Sequence, residues 1–375
     1  MTPISPPISD RLTLCLTGDV MTGRGVDQIL PNPGDPEIHE SHVRDARDYV
    51  RLAESENGPI PAPVDFAYVW GDALAAFRRA DVRIVNLETS ITRHARPWPG
   101  KGIQYRMHPL NAGVLTAARI DCCSLANNHL LDWNREGLLE TIETLDRIGV
   151  HHAGAGRSAA EATAVTVLEV PGKGRVLVLA VGSESSGIPR SWRATPTTSG
   201  VNLLDELSPA TAAPIAHELL RLTKRGDVTV VSIHWGDNWG YDIPAKHIAF
   251  ARKLADEGID IVHGHSSHHV KAIELRRNGV ILYGCGDFLT DYEGIGGHEE
   301  FRGTLAAAFL VSVALDPRRI ARVELVPFHL RRMRMNVPAE ADVRWLHERV
   351  GRECARFGSQ VIAQPDHSLV VRPRP

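Results

Sequence analysis

Residues 228–269 read VTVVSIHWGDNWGYDIPAKHIAFARKLADEGIDIVHGHSSHH, and this stretch contains the pattern that decides the fold. Two apolar runs rich in β-branched residues, 228–233 and 259–262, predict strands. Each run leads into a loop rich in Gly, His, Asp or Ser, and a helical pattern separates them. A helix between two strands is the repeating unit of α/β proteins, so the stretch predicts that fold class.

The same alternation recurs along the rest of the chain. Leucines and isoleucines at helical spacing in residues 138–148 predict a helix that Gly149 ends, and Ser158 and Ser208 are typical N-caps. Pro171-Gly172-Lys173-Gly174 predicts a hairpin turn, so part of the sheet should be antiparallel. The further β-type runs are residues 12–16, 82–85, 121–125, 165–170, 176–181, 280–283, 309–314 and 321–327.

Two segments stand apart from this alternation. Residues 31–63 contain six prolines and mixed charges, which indicates an inserted loop or short helix that is either a lid or a solvated decoration. The simplest division is one α/β domain over residues 1–338 and a C-terminal helical appendage over residues 339–375.

Composition excludes several classes of function. Lys and Arg number 42 against 45 Asp and Glu, a net charge of −3, so nucleic acid is not an expected partner. Residues 1–10 lack the pattern of a signal peptide, and no run reaches the roughly 18 apolar residues of a membrane span, so we expect a cytoplasmic protein without a membrane anchor. Five cysteines without a CxxC pair predict small buried hydrophobic residues rather than disulfides or a zinc-thiolate site.

Polar loops follow five of the predicted strands. Each loop alone has an ordinary explanation: Asp19 could cap a helix, and His234 could be a packed histidine at a strand end. In open α/β sheets, however, loops at the carboxyl ends of strands form the ligand crevice, so these residues are expected to converge. The five loops are Thr17-Gly18-Asp19-Val20, Asn86-Leu87-Glu88, Ala126-Asn127-Asn128-His129, His234-Trp235-Gly236-Asp237 and Gly264-His265-Ser266-Ser267-His268-His269.

Together the five loops predict a divalent metal site. Carboxylate, amide and imidazole groups suit Mn, Fe, Zn or Mg, as one or two ions, rather than a metal that prefers thiolates. Beside them, Trp235, Trp239 and Tyr241 either hold an apolar side chain of a substrate or pack a long loop. Residues 101–106 and 183–186 could bind a carboxylate or simply face water. Asp287 is a candidate to orient a metal-site histidine.

The ordered motifs resemble a known family. The set GDVMTGR from Gly18, NLETSIT from Asn86, LANNHLLD from Leu125, IHWGDNW from Ile233 and GHSSHH from Gly264, with AGAGR and YGCGDF, is similar to the CapA, or poly-γ-glutamate capsule-synthesis, family. That resemblance covers about residues 12–327. It implies the calcineurin-like metallophosphoesterase fold, a two-sheet β-sandwich flanked by helices.

The resemblance also implies roles for individual residues. Asp19 matches the first metal aspartate, and Glu88 matches the bridging or second-site carboxylate. His129 matches an acid or base beside the metal, and His268 and His269 are the other available bases. The implied metal ligands are Asp19, Glu88, Asn128, His234, His265 and His268, and the implied catalytic residues are His129, His268, His269 and Asp287.

Two departures from the metallophosphoesterase pattern matter. Met21 stands where those enzymes carry a histidine, and Gly264-His265-Ser266-Ser267-His268 replaces Gly-His-x-His. Both argue against a complete two-metal phosphatase site. CapA-like relatives also include enzymes that epimerise the C-terminal residue of a lasso-peptide precursor.

The leading hypothesis is a divalent-metal-dependent enzyme acting on a peptide or an amino-acid carboxylate, most concretely a Cα epimerase. A metal ion would stabilise the charge that develops when the Cα proton leaves, and imidazoles would remove and return protons. The alternatives are a metal-dependent hydrolase of phosphoester or amide bonds and an accessory protein of capsule-polymer synthesis without turnover.

Overall fold

The computed structural model describes residues 11–277 and 279–374. The α-helices in this part of the chain are α1 (Arg24–Ile29), α2 (Arg47–Asn57), α3 (Ala73–Phe77), α4 (Gly113–Ala117), α5 (Asn134–Ile148), α6 (Ala159–Ala162), α7 (Pro209–Arg221), α8 (Ala245–Glu257) and α9 (Glu340–Ala355). Short 3-10 turns occupy Tyr68–Trp70, Pro109–Ala112, Glu184–Ser186, Arg190–Trp192 and Glu299–Phe301. Residues 1–10, on which the absence of a signal peptide was predicted, lie outside the described residues.

The strands form two large mixed sheets and two small ribbons. In chain order they are β1 (Arg11–Val20), β2 (Val82–Leu87), β3 (Ser90–Ile91), β4 (Arg106–Met107), β5 (Cys122–Ser124), β6 (His151–Ala153), β7 (Ala155–Gly156), β8 (Thr166–Val170), β9 (Gly174–Ser183), β10 (Gly200–Val201), β11 (Leu203–Leu204), β12 (Val228–His234), β13 (Ile261–His265), β14 (Ile273–Leu275), β15 (Val280–Leu282), β16 (Asp287–Leu289), β17 (Leu305–Leu315), β18 (Arg318–Leu330), β19 (Met335–Asn336), β20 (Ser359–Ala363) and β21 (Leu369–Pro373). All ten predicted β runs overlap a strand, and the predicted hairpin joins antiparallel β8 and β9.

The order of strands explains where the site forms. The first sheet runs β20-β21-β18-β17-β1-β2-β5-β6, with β16 beside β1 and β19 beside β18. The second runs β11-β9-β12-β13-β15-β14, with β8 beside β9. Within them β1, β2 and β5 are mutually parallel, as are β9, β12 and β13. The carboxyl ends of each parallel set therefore lie at one edge of its sheet.

The two sheets stack face to face, as expected from alternating side chains. Leu12, Leu14 and Leu16 of β1 share one buried cluster with Val228 and Val230 of β12. Residues that point the other way pack against helices: those of β9 and β12 contact α7 and α8, and those of β2 and β5 contact α3, α4 and α5. The predicted α/β class, with a two-sheet sandwich flanked by helices, is confirmed.

The predicted helix ends, one C-terminal glycine and two N-cap serines, are confirmed. Helix α5 ends at Gly149, whose φ of 71° is the left-handed conformation that glycine adopts without strain. Ser158 and Ser208 cap α6 and α7 through their side chains. The predicted fate of the cysteines is also confirmed, since all five are buried and unpaired.

The two unusual segments are both packed against the rest of the fold. Within residues 31–63, Glu40 is buried and lies 2.9 Å from the guanidinium of Arg24. Residues 339–375 hold α9, β20 and β21, and β21 pairs with β18, so this segment extends the first sheet as well as contributing a helix. The lid and the domain boundary stay predictions.

Candidate metal centre

The predicted convergence of loops is present at the carboxyl ends of the parallel strands. His234 Nε2 lies 2.9 Å from Asn128 Oδ1 and 3.9 Å from Glu88 Oε1. His265 Nδ1 lies 4.0 Å from Asp19 Oδ1. The first sheet therefore brings carboxylates and an amide to the same place as two imidazoles from the second sheet.

A glycine at the end of β1 makes this approach possible. A Cβ atom at Gly18 would lie 1.7 Å from the carbonyl oxygen of Gly286, a distance no side chain tolerates. Because Gly18 has no side chain, the backbone of Asp19 donates to that same carbonyl at 3.0 Å. The pairing register of β1 shifts at this point, and Asp19 comes to lie beside Asp287 of β16.

Alternation along β12 and β13 places four polar side chains on the face between the sheets. In the register of these strands Ser232 is opposite His263 and His234 is opposite His265. Val228 and Val230 point the same way lower down β12, in the apolar core. The inner face therefore changes from apolar to polar as it nears the carboxyl edge.

A chain of hydrogen bonds fixes the ring nitrogens of two of these histidines. His263 Nε2 lies 2.8 Å from the carbonyl oxygen of Thr17, which can only accept, so the proton is on Nε2. His263 Nδ1 then accepts from the Ser232 hydroxyl at 3.1 Å, and Ser232 Oγ accepts from His265 Nε2 at 2.9 Å. His265 Nδ1 is left with a free lone pair that faces the site.

His234 presents the same kind of lone pair from the opposite side. Its Nε2 donates to Asn128 Oδ1, which leaves its Nδ1 unprotonated and 2.8 Å from His265 Nδ1. Burial lowers the pKa of both imidazoles well below the ordinary value, so neither holds an extra proton there. Two lone pairs this close repel one another, and a cation bound by both removes the repulsion.

The carboxylates that follow strands of the first sheet are buried, and negative charge is unfavourable there. Asp19 is fully buried, and burial together with Asp287 raises its pKa to about 7. Burial and the Asp19 charge likewise raise the pKa of Glu88 well above its usual range. Donor atoms of Asp19, His234 and His265 lie within 4.8 Å of one another. Two imidazoles and a carboxylate are a donor set that Zn²⁺ and similar ions accept, so these residues fit a divalent metal.

Next to Glu88, His129 forms a pair with the Asp132 carboxylate. His129 Nδ1 lies 2.7 Å from Asp132 Oδ2, and Lys101 Nζ lies 2.7 Å from Asp132 Oδ1. Burial lowers the pKa of His129 to about 4, so the ring is a neutral base. Its Nε2 is 3.8 Å from Glu88 Oε1, at the edge of the donor set.

Near Asp19, His268 forms a second pair. His268 Nδ1 lies 2.8 Å from Asp287 Oδ1, which agrees with the expectation that Asp287 orients a histidine. Although burial lowers the pKa of His268, the Asp287 carboxylate raises it above the ordinary value. Asp19, His268 and Asp287 form a second possible donor group. Because His268 and Asp287 already bind each other, we interpret them as an acid/base pair.

Two tyrosines link the pairs. Tyr105 stacks on the His129 ring at 3.9 Å between centroids, and Tyr292 meets the His268 ring edge-on at 5.4 Å. Their hydroxyl oxygens lie 2.5 Å apart. The Arg24 guanidinium lies 5.0 Å and 5.7 Å from the two phenol rings. The rings of the two candidate acid/base histidines are thus held in place by one hydrogen-bonded tyrosine pair.

Four predicted residues have other surroundings. His269 and Tyr241 contact each other and both pack against Phe301. Trp235 is 4% exposed in the core behind β12, where its indole donates to the Tyr283 carbonyl at 3.0 Å. Trp235 therefore packs in the core, which is the second of the two roles expected for it. Trp239 is half-buried with its ring 5.2 Å from that of His268.

Comparison with known proteins agrees with this arrangement of motifs. Residues 13–292 match the family model described as bacterial capsule synthesis protein PGA_cap. The chain belongs to the PGA_cap family. A protein of Mycobacterium tuberculosis named probable polyglutamine synthesis accessory protein is 45% identical over 367 residues, which cover 97% of each chain.

More distant similarities follow the same line. The capsule biosynthesis protein CapA of Bacillus anthracis is 23% identical over 294 residues, which cover 77% of this chain and 62% of that protein. Among solved structures, the sulfate thiohydrolase SoxB of Thermus thermophilus has a TM-score of 0.44 at 14% identity, covering 92% of this chain and 60% of that one. None of the described helices of this PGA_cap protein is long and apolar enough to span a membrane.

Sequence analysis of this PGA_cap protein missed several residues that the site uses. Ser232 had a detectable signal, because it lies two positions before the predicted ligand His234 and so shares its face of the strand. Asp132 follows His129 by three residues and lies inside a quoted motif. No spacing connects Tyr105 with Tyr292, which are brought together only by the tertiary fold.

Proposed function

We propose that the chain is a divalent-metal-dependent enzyme that epimerises a residue of a peptide at its Cα atom. One observation carries the proposal: two histidine–aspartate pairs, His129–Asp132 and His268–Asp287, lie next to carboxylates of the candidate metal site, His129 beside Glu88 and His268 beside Asp19. A two-base epimerase needs one group to remove a proton from one face of Cα and another to deliver a proton to the opposite face.

The aspartates leave the other ring nitrogen of each histidine for the substrate. Asp132 and Asp287 occupy the Nδ1 atoms, so Nε2 is the atom that exchanges protons with Cα. His129 Nε2 accepts the proton when the Cα–H bond breaks, and His268 Nε2 donates a proton to form the new Cα–H bond. A divalent cation held by Asp19, His234 and His265 would stabilise the negative charge that develops on the substrate oxygen. Exchange of both rings with water restores the starting state.

A peptide is the substrate class that the relatives favour. The mycobacterial relative is named for polyglutamine synthesis and the family for capsule synthesis, and the first name points to a polymer of glutamine. The net charge of −3 argues against a nucleic-acid substrate. We propose that the enzyme acts in the cytoplasm, where it would modify a glutaminyl or glutamyl chain during its synthesis.

Solvent deuterium tests the proposal directly. The metal-loaded protein would be incubated in D₂O with L-glutamine and L-glutamate peptides, and Cα deuterium and D-residue content would be measured by mass spectrometry and chiral analysis. We expect deuterium to enter Cα without chain cleavage, and to be lost in His129→Gln. Release of fragments or of phosphate would contradict epimerisation and support hydrolysis, and tight binding without either would indicate an accessory protein.

Hydrolysis is the second candidate because Asp19 is shared between two donor groups. If Asp19, His268 and Asp287 held a second ion, beside one held by Asp19, His234 and His265, two cations would lie side by side, as in metal-dependent hydrolases. Metal content separates the two cases. About one ion per chain supports the acid/base role of His268, and about two ions, with the second lost in His268→Gln, supports hydrolysis.

A further inference from the structure

A cavity of about 490 Å³ opens beside the His268–Asp287 pair. Asp287 and Tyr292 line its inner end, and Trp239 and Leu305 contribute apolar surface. Its size is within the range of pockets that bind small molecules or short peptide segments. Glu56 and Asn57 at the end of α2 also line it, so the proline-rich segment 31–63 contributes a wall.

The charged groups that line the cavity are mostly acidic. Its carboxylates come from Glu56, Asp287, Glu293, Glu299 and Asp342. Arg302 is the lining arginine among the described residues, and its guanidinium is already committed to Asp342 at 2.9 Å. The remaining titratable groups that could be positive are His298 and His329, and His329 also faces Asp342, at 3.4 Å. Positive charge in the cavity is therefore outnumbered and largely paired.

The acidic side chains of the cavity differ in exposure and in the number of hydrogen bonds they accept from neighbouring residues. Glu293 accepts hydrogen bonds from the Asn57 amide and from two backbone N–H groups, so its role is structural. Glu56 and Glu299 are exposed at the rim. Asp287 is buried at the inner end, and its Oδ2 has no hydrogen-bond partner among the described residues. The cavity thus ends at an acceptor that a ligand N–H or ammonium group would satisfy.

We infer that this cavity binds an uncharged or cationic peptide segment next to the reacting residue and discriminates against a polyanion. The inference rests on the proposed function for the identity of the reacting residue, but not for the binding itself. Each carboxylate of a glutamate polymer would meet like charge on entering the cavity, whereas a glutamine amide or a lysine ammonium would meet acceptors.

Calorimetry on the full-length metal-loaded protein tests this inference without requiring turnover. Hexapeptides of L-glutamine, L-lysine and γ-linked glutamate serve as probes at low salt. We expect the lysine and glutamine peptides to bind at least ten-fold more tightly than the γ-glutamate peptide. The advantage of the lysine peptide should shrink at about 0.5 M salt, where the screening length falls to a few ångströms.

Matched variants assign the preference to the cavity. Glu56→Gln combined with Glu299→Gln changes two exposed side chains, so the fold should survive, and the preference should fall at least three-fold. Glu340→Gln removes an exposed charge of α9 that does not line the cavity and should leave the preference unchanged.

Three results would overturn the inference: equal or tighter binding of γ-glutamate, no binding of any of the three peptides, or an unchanged preference in the double variant. Failure of the proposed function looks different, because the binding order would hold while no deuterium enters Cα.

Discussion

The two sheets contribute different chemistry to one site. The first sheet supplies carboxylates and amides from Asp19, Glu88 and Asn128, whereas the second supplies the neutral imidazoles of His234 and His265. The Asp19 carboxylate is buried and its pKa is raised, while His265 is held by a hydrogen-bond chain that reaches back to the Thr17 carbonyl and His234 is held by Asn128. The first sheet therefore contributes the negative charge that would attract a cation, and the second contributes oriented imidazole nitrogens that could bind it.

Removing the charge of the first sheet should have the largest effect. We expect Asp19→Asn to weaken metal binding by more than about 100-fold, since losing a residue that merely supports a ligand already costs 10- to 100-fold. Without metal the variant should melt at a higher temperature than the unsubstituted protein, because a buried charge is removed. Metal titration and thermal unfolding with and without a chelator measure both effects.

Asp27→Asn is the matched control for that comparison. Asp27 is also a buried carboxylate, but it accepts hydrogen bonds from Gly34, His108 and Asn111 away from the metal donors. The control should lower stability and leave metal binding unchanged. Equal metal affinity in Asp19→Asn and the unsubstituted protein would remove Asp19 from the site.

Changing the base beside the first sheet should abolish most activity while the metal stays. We expect His129→Gln to lower the rate of Cα exchange by about 10²- to 10⁴-fold, the usual contribution of a positioned acid or base. His152→Gln changes a histidine that also lies near a carboxylate, 3.2 Å from Asp146, and should have no effect. Loss of metal together with activity would instead make His129 a ligand.

Breaking the orienting chain of the second sheet should have an intermediate effect. Ser232→Ala removes the hydroxyl between His263 and His265, so His265 loses its fixed tautomer, and we expect a 10- to 100-fold loss of metal affinity. Ser312→Ala removes a hydroxyl 2.9 Å from that of Thr13, outside the donor set, and serves as control. If both variants bind metal equally, the chain does not orient His265.

The link between the two histidine pairs should have the smallest effect. Tyr292→Phe removes one hydroxyl of the tyrosine pair, and a loss of about 1 kcal/mol would slow exchange roughly five-fold. Tyr49→Phe also removes a hydrogen bond near Arg24, the one to Glu40, but contacts neither catalytic candidate. Equal rates in the two variants would show that the tyrosine pair does not position the histidines.

Sequence reasoning reached the parts of the molecule that local patterns determine. Strands followed from apolar runs, and the convergence of candidate donors such as Asp19 and His234 followed from polar residues placed directly after those runs. Contacts between residues that are far apart in the sequence could not be predicted in this way. Lys101 and Tyr105 meet His129 from a loop with no periodic signal, and the burial of Trp235 depends on neighbours from Tyr283 and α8.

The hydrogen bond from His263 to Thr17 also has a consequence for biosynthesis. It joins residues 246 positions apart, at the beginning and towards the end of the chain, and His265 lies only two residues further on. A ribosome must therefore release most of the polypeptide before the tautomer of His265 can be set, and a nascent chain cannot assemble the three donors. Acquisition of metal should accordingly be a late event after translation, and its rate should report the docking of the two sheets.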